Sequence, residues 1–502
     1  MNPELLAFFI YFAAVLTIGL VFFFKTKNGG EKEYFLGGRS MGPWVTAMSA
    51  QASDMSGWLL MGFPGSILAF GLGQAWIGIG LALGTIANWL LIARRLRRFS
   101  AAANDSITLP QYLSNRFATK SRALQIICAV VFLVFFTVYV ASSFVAGATV
   151  FHDILGVEEG IAMLIFVAIL LAYTFLGGYK AVCWTDFFQG LMMLVALLAI
   201  PIVILFTKDL DTSLLSNIYT YTDSKGELVT CTFTSNLFSA SWQDIASGLA
   251  WGLGYFGMPH ILVRFMGIKK SSMVKKSATV AIVWVILALF AAIIIAYFGR
   301  MLVAEELLTD GSQKMVFIEL ARDIFPGFIA GLLMAAIIAA AMSTADSQLL
   351  VASSSFTSDI YRPVIRKNAS DKETLWVGRI IVIIVSVVAY FIASSKGSGA
   401  QAIMNMVENA WGGFGSAFGS VVILSVFWRR FTYKGALAGV VTGAVVDVAW
   451  LLFLTKPTGV YELLPGFVAS MIAAVVVTLL DRAPEKEVTD IYDRAVSADF
   501  DE

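Results

Sequence analysis

Thirteen times along its length this chain strings together about twenty mainly apolar residues, and no other feature narrows its possible folds as much. Numbered in chain order, the runs cover about 4–24, 43–66, 70–92, 124–150, 159–178, 185–207, 238–263, 277–300, 326–355, 376–395, 400–428, 435–455 and 461–481. About twenty apolar residues coiled as a helix cross the hydrocarbon of a bilayer. The sequence therefore predicts an all-α integral membrane protein with about 13 transmembrane helices. Hydrophobic residues are 58% of the chain without its 42 glycines, against about 45–50% with glycine included in soluble domains. Run 1 is followed by Lys25 and Lys27 rather than preceded by a charge, lacks a small-residue cleavage site and is too long for a leader core. It is expected to stay as the first helix.

Charge placement tests the count, because one missed or surplus helix would scramble its alternation from loop to loop. With the N-terminus outside, the cytoplasmic segments hold 28 of the 35 Lys and Arg and the outer ones 7. The expected protein is thus multi-pass in the plasma (inner) membrane, N-terminus outside and C-terminus cytoplasmic. A transporter domain over 1–484 would be followed by a cytoplasmic acidic tail, 485–502, whose composition predicts disorder. A net charge of +1 with 14% charged residues offers no basic surface for nucleic acid. Two histidines (His152, His260) and three scattered cysteines (Cys128, Cys183, Cys231) make neither a metal cluster nor a disulfide framework at normal spacing. The redox compartment stays open. No nucleophile–base constellation of a membrane enzyme is visible, nor a pore ring shared by several subunits, nor an obligate protein partner.

Polar residues inside the runs carry the chemistry. Ser49 to Gly57 reads SAQASDMSG in the middle of run 2. An Asp at a helix centre costs about 2.5–3.5 kcal/mol on insertion scales, so Asp54 should face a cavity and have a partner. A plain helix–helix hydrogen bond would also satisfy it, but with Ser53, Ser56 and Gly57 beside it an unwound segment fits better. Run 7 holds a second interruption, WGLGYFGMPH at 251–260. Gly252, Gly254 and Gly257 spell G-x-G-x-x-G, yet the dinucleotide reading needs a strand–turn–helix unit that this run does not provide. The glycines instead permit unwinding, and Pro259 removes a donor and frees a carbonyl that can bind a cation.

The two breaks lie five runs apart. Because five is odd, five-helix units so offset have opposite orientations, the inverted-repeat plan in which discontinuous helices build a midplane site. Runs 2–6 and 7–11, about 43–207 and 238–428, would be the core repeats. Run 9 adds Ser343, Thr344, Asp346 and Ser347, oxygen ligands that suit a hard cation such as sodium, or hydroxyls bonded back to their own helix. Asp186, at the inner end of run 6, could form an ordinary interfacial pair with Lys180. Trp58, Tyr139, Trp251 and Tyr255 lie mid-run beside the breaks, where they could wall a small apolar ring, rather than in interfacial belts. Glu408 and Asp447 read as helix–helix contacts or cavity edges.

The segments GGRSMGP (37–43), ASDMSGWLLMG (52–62), FFTVY (135–139), GGYKAVCWTD (177–186), WGLGYFGMPHIL (251–262), MST (342–344) and AWGGFGSAFG (410–419) resemble the sodium:solute symporter family, and within it the proline carriers. The likeness runs nearly end to end. It implies a leucine-transporter-type 5+5 inverted-repeat core, sodium as the coupling ion and L-proline uptake by alternating access; another amino acid, betaine or a carboxylate is the alternative solute. It also implies roles for residues. Backbone oxygens of Ala52, Met55 and Ala340 with the hydroxyls of Ser343 and Thr344 match the main sodium site. Asp54 matches a residue needed for sodium-dependent binding, and with Ser56 and Gly57 it joins the candidate solute residues Trp58, Tyr139, Trp251, Tyr255 and Pro259. Asp186 matches a position on the inner ion path and Arg39 an inner-loop arginine linked to coupling. The chain departs from the proline carriers at Asp346, where they have a small uncharged residue, and at 407–409 (VEN), where an acid is unusual. With Asp346 as an added ligand, Asp186, Ser343, Asp346 and Ser347 are expected to form a possible second cation site.

Overall fold

The polar stretch of run 2 divides it into two helices. In the computed structural model, which describes residues 2–26, 30–176, 178–222, 226–396, 400–497 and 500, helix Pro43–Asp54 stops at the aspartate. Met55 and Ser56 leave helical geometry with ψ of 75° and −170°, a 3-10 turn covers Gly57–Leu59, and helix Gly62–Phe70 completes the run. Ser and Asp side chains offer the backbone local alternatives to helical bonding. Here Ser56 N–H turns to the Asp54 carbonyl at 3.0 Å instead of reaching four residues back.

Run 7 breaks in the same manner. Helix Trp242–Ala250, opened by a reciprocal capping box of Ser241 and Asp244, gives way to a 3-10 turn at Trp251–Phe256 and then to helix Pro259–Gly267. Pro259 stands in the first turn of that second half, where its missing N–H removes no helical bond. Run 3 supports the break from one side with a glycine stripe. A Cβ on Gly84 would stand 2.3 Å from the Gly252 carbonyl oxygen, and one on Gly80 2.1 Å from that of Gly248. Backbones meet directly here, as small residues allow between helices in a membrane.

Run 9, helix Gly327–Phe356, stands at the centre, with every residue from Leu333 to Ser355 buried, and it packs against runs 1, 4 and 6. A helix buried on all sides must place its polar residues against partners. Among the described residues ten helices are long and apolar enough to cross a membrane, and they coincide with runs 1, 3, 4, 6 and 8–13. Runs 2 and 7 are divided, and run 5 folds as the 18-residue helix Glu159–Leu176.

Two segments differ from expectation. The loop before run 7 carries an antiparallel hairpin, Tyr219–Thr222 against Leu228–Cys231, so the fold is not purely helical. Strands of four residues are too short to announce themselves by alternation. The hairpin is pinned by buried Arg300, which donates to the carbonyls of Leu68 (3.1 Å) and Asn217 and lies 4.9 Å from the Tyr219 ring. The tail is a correction: Lys486–Val496 is a helix rather than disordered. Val488, Tyr492 and Ala495 share its inner face, where Arg116 donates to the Val488 carbonyl (3.0 Å) and Tyr492 to that of Phe427 (3.0 Å). Asp493 takes two bonds from Arg429, at 2.8 and 2.7 Å. Acidic composition hid an amphipathic face. Residues 498, 499, 501 and 502 of the tail lie outside the described residues.

Candidate cation and solute site

Breaking run 2 frees carbonyl oxygens. With Ser56 N–H on Asp54, the Ala52 carbonyl loses its helical donor, and the Ser343 hydroxyl of run 9 donates to it at 2.8 Å while also lying 3.2 Å from the Ala340 carbonyl. Next to it the Thr344 hydroxyl oxygen is buried without a hydrogen-bond partner. Met55 caps the broken helix end. A buried hydroxyl with no partner is costly in a dry site. An oxygen-only donor set of freed carbonyls and hydroxyls fits a hard cation such as sodium.

Two residues past Ala52, Asp54 joins the breaks: its Oδ2 accepts the Tyr255 hydroxyl of run 7 at 2.5 Å, and its carbonyl accepts Tyr139 of run 4 at 3.5 Å. The helix–helix hydrogen bond weighed as the plain alternative therefore exists, made to the tyrosine of the second break. The Trp58 and Trp251 rings lie beside it, centroids 6.2 Å apart. Ser56 Oγ accepts Trp58 N–H at 3.5 Å and shapes the turn. A Cβ on Gly57 would stand 2.5 Å from that of Ala146, so run 4 approaches the break closely. Pro259 is buried at the start of the second half of run 7.

Toward the face rich in Lys and Arg, the structure differs from the sequence reading. Lys180 pairs with Glu33, and Asp186 pairs instead with Arg264 (3.2 Å), the residue that follows run 7 and is fully buried here. Arg264 also donates to Ser49 (3.1 Å), to Ser347 and to the His260 carbonyl (3.0 Å), while Ser49 donates to Asp186 (2.7 Å). Asp346 is within electrostatic reach of the same guanidinium. Of the four residues grouped as a second cation site, Asp186 and Ser347 thus meet through Arg264, whereas Ser343 turns to Ala52. Arg39 closes this face further out, with Asp105 at 2.7 Å, the Met266 carbonyl at 2.5 Å and the Ser106 carbonyl at 2.8 Å.

Sequence reasoning missed three more neighbours of the breaks. Asn88, in a π-helical turn of run 3, donates to the Tyr255 carbonyl at 3.0 Å. Trp411 donates to the Trp251 carbonyl at 2.8 Å and sets its ring 5.0 Å from Tyr255. Buried His260 lies among the rings of Phe136 (5.8 Å) and Tyr139 (6.3 Å). Asn88 and His260 carried a signal, each a polar side chain within an apolar run, and Trp411 did not. Toward the opposite face a cavity of about 300 Å³ ends on Trp251, walled also by Trp76, Met404, Glu408 and Tyr461. Glu408 is thus a cavity edge. Asp447 is a helix–helix contact, accepting the Ser416 hydroxyl at 2.9 Å.

Two broken helices meeting beside a buried, oxygen-lined site inside a helical membrane protein define a cation-coupled secondary transporter. The fold is that of a Na+-coupled sialic acid symporter solved substrate-bound and outward-open, with a TM-score of 0.75 at 21% identity covering 97% of this chain and 99% of the other. Mhp1, a nucleobase-cation-symport-1 family transporter solved in a closed conformation, aligns at a TM-score of 0.56, 14% identity and coverage of 93% and 99%. The model of the sodium:solute symporter family matches residues 34–443, and the chain belongs to that family. A sodium/proline symporter of Haemophilus influenzae is 42% identical over 99% of this chain and 98% of its own. The high-affinity proline transporter PutP of Bacillus subtilis is 42% identical over 95% and 98%.

Proposed function

We propose that this protein carries L-proline into the cell together with sodium by alternating access. One observation carries the reading: the segment Ala52–Gly57 joins the two clusters, its Ala52 carbonyl held by Ser343 of the cation cluster and its Asp54 carboxylate by Tyr255 of the solute cluster. The names of relatives about 42% identical over nearly the whole chain supply the solute and the ion.

Sodium binds at Ala52, Met55, Ala340, Ser343 and Thr344 and fixes the unwound backbone of run 2. Asp54, Ser56 and Gly57 are thereby set in place, and the pocket of Trp58, Tyr139, Trp251, Tyr255 and Pro259 is ordered for the solute. The coupling is reciprocal and of the order of 1–3 kcal/mol. An inward membrane potential contributes about 2.3 kcal/mol per charge per 100 mV. Opening toward the cytoplasm separates Arg39 and Arg264 from their partners and lets both ligands leave.

The chain crosses the plasma membrane thirteen times with its N-terminus outside, and runs 2–6 and 7–11 are the inverted repeats. The reading rests on the 28-to-7 division of Lys and Arg and on the five-run spacing of the breaks. Asp186, Asp346 and Ser347, with Ser343, form a second cation site in states where Arg264 has moved. Asp346→Asn in proteoliposomes should lower the Hill coefficient or the apparent affinity for sodium; unchanged sodium and pH dependence would count against the site.

A panel of radiolabelled solutes, with and without a sodium gradient, tests the whole reading. Proline alone should accumulate, and Asp54→Cys should abolish sodium-dependent counterflow while still reaching the membrane. Sodium-driven uptake of a betaine or carboxylate in place of proline, or wild-type affinity in Asp54→Cys, overturns it.

A further inference from the structure

The cavity in front of Trp251 has a composition that points to its occupant. Fifteen residues line it, Asp244 and Glu408 among them, and none is Lys, Arg or His. Asp244 is already used, accepting the Ser241 N–H (3.2 Å) and hydroxyl (2.7 Å) in its capping box. Glu408 has no Lys or Arg partner among the described residues. Beside it Tyr461 is held at both ends, its hydroxyl donating to the Glu408 carbonyl (2.7 Å) and its N–H to Ser247 (3.0 Å). Its ring stacks on Trp251 with centroids 5.4 Å apart and planes 30° apart. A carboxylate next to fixed, stacked aromatic rings is the acceptor set that recognises an organic ammonium, through charge and cation–π attraction.

Size and ligand chemistry argue against a bare metal ion. A volume of about 300 Å³ is several times the roughly 30 Å³ of a water molecule and reaches the lower end of small-molecule pockets. Among the described residues no three His, Cys, Asp or Glu are placed to hold a metal. The cavity also lies directly against Trp251 of the solute cluster, whose ring is linked through that of Trp411 to Tyr255.

We propose that Glu408, Tyr461 and Trp251 form an outer subsite that takes the ammonium group of the amino-acid solute before it passes Trp251. This deepens the proline reading and rests on it. The subsite is sequence-tolerant toward the rest of the solute, because only the ammonium is recognised, and it raises the local solute concentration at the closed ring.

The test uses full-length protein in proteoliposomes with a sodium gradient. Sodium-driven proline uptake by the wild type checks the underlying reading separately. Given that uptake, Glu408→Gln should raise KM for proline about fivefold, as loss of a partly hydrated charge contact does, with Vmax and sodium half-saturation unchanged. Glu408→Asp should restore most of the affinity. Pyrrolidinium, which has the ammonium and no carboxylate, should inhibit the wild type and lose about fivefold in potency on Glu408→Gln. An unchanged KM and equal pyrrolidinium inhibition of both proteins overturns the subsite, and so does a shift in sodium half-saturation in place of KM, which would mark a cation site. Should Glu408→Gln fail to reach the membrane, the wild type decides: inhibition by pyrrolidinium but not by cyclopentanecarboxylate supports the subsite, and equal or absent inhibition overturns it.

Discussion

At the end of the solute path that bears most Lys and Arg, guanidinium groups are locked onto carboxylates and carbonyls: Arg264 on Asp186, Arg39 on Asp105 and Met266, and Arg97 on the Ile268 carbonyl (2.7 Å). At the other end stand the rings of Trp251, stacked on Tyr461 and tilted against Trp58, beside a cavity with no basic lining residue. The two closures behave differently under load. The Trp58 and Trp251 rings can turn aside while losing mainly contact area, and Tyr461 gives up one neutral hydrogen bond from its hydroxyl, whereas a buried guanidinium must leave several donors and acceptors unpaired at once. Opening toward the basic face is therefore the step that ligand binding has to drive.

Arg264→Met is the largest expected blow to this contrast, because it strands the Asp186 carboxylate in a site with no exposed surface. Removing one partner of a buried ion pair costs about 3–5 kcal/mol, while replacing both by apolar residues is often neutral or better. Thermal unfolding in lipid nanodiscs should show a large loss for the single variant and near-recovery for Arg264→Met with Asp186→Leu. A single variant as stable as wild type would mean the basic end is not held by this pair.

How far the sequence reaches is visible in the same residues. The breaks were legible from Asp54 and from the glycines and Pro259, because polar and helix-breaking residues stand out against an apolar run. The clustering of Ser343 with Ala52 was legible only through resemblance, since 291 positions separate them in the chain. Arg264 was not legible. It sits near the end of an apolar run, where a basic residue reads as a loop charge, and only three-dimensional packing turns helix Pro259–Gly267 inward. The C-terminal helix was hidden for a related reason: an average over 485–502 erases the one face, Val488, Tyr492 and Ala495, that docks.

Between the two closures the Ser343 hydroxyl should matter moderately. Ser343→Ala removes one oxygen from the Ala52/Ala340 junction and leaves the packing of run 9 nearly unchanged, since the side chain is small and buried. Losing one neutral hydrogen-bonding group is worth about 0.5–1.5 kcal/mol, so sodium half-saturation should rise by a factor of roughly two to twelve. Proline KM should follow only at low sodium, the mark of coupling through the shared segment. A proline affinity that falls equally at saturating sodium would place Ser343 in the solute pocket and shift the boundary between the two clusters.

The smallest effect is expected at the rim of the basic end, where Asp105 joins Lys32 and Arg39 and its side chain is 47% exposed. Partial burial opposes its ionisation, yet hydrogen bonds and charge from Lys32 and Arg39 prevail and hold the carboxyl below its usual range. A carboxylate lowered in this way contributes stability above its unfolded value of about 3.9, and that contribution fades only as pH falls through the lower folded value. The latch is therefore fully charged through the physiological range and adds no pH dependence there. With Asp105 half exposed and Arg39, itself buried, still held by the Met266 and Ser106 carbonyls, losing the carboxylate costs little more than the about 0.2–1 kcal/mol of an exposed pair, so Asp105→Asn should change the proline uptake rate by no more than a few-fold, by the same factor at pH 6 as at pH 8. An effect concentrated at one of those two pH values would show that the latch titrates within the working range, and the basic end would then be a pH-gated closure rather than a standing one.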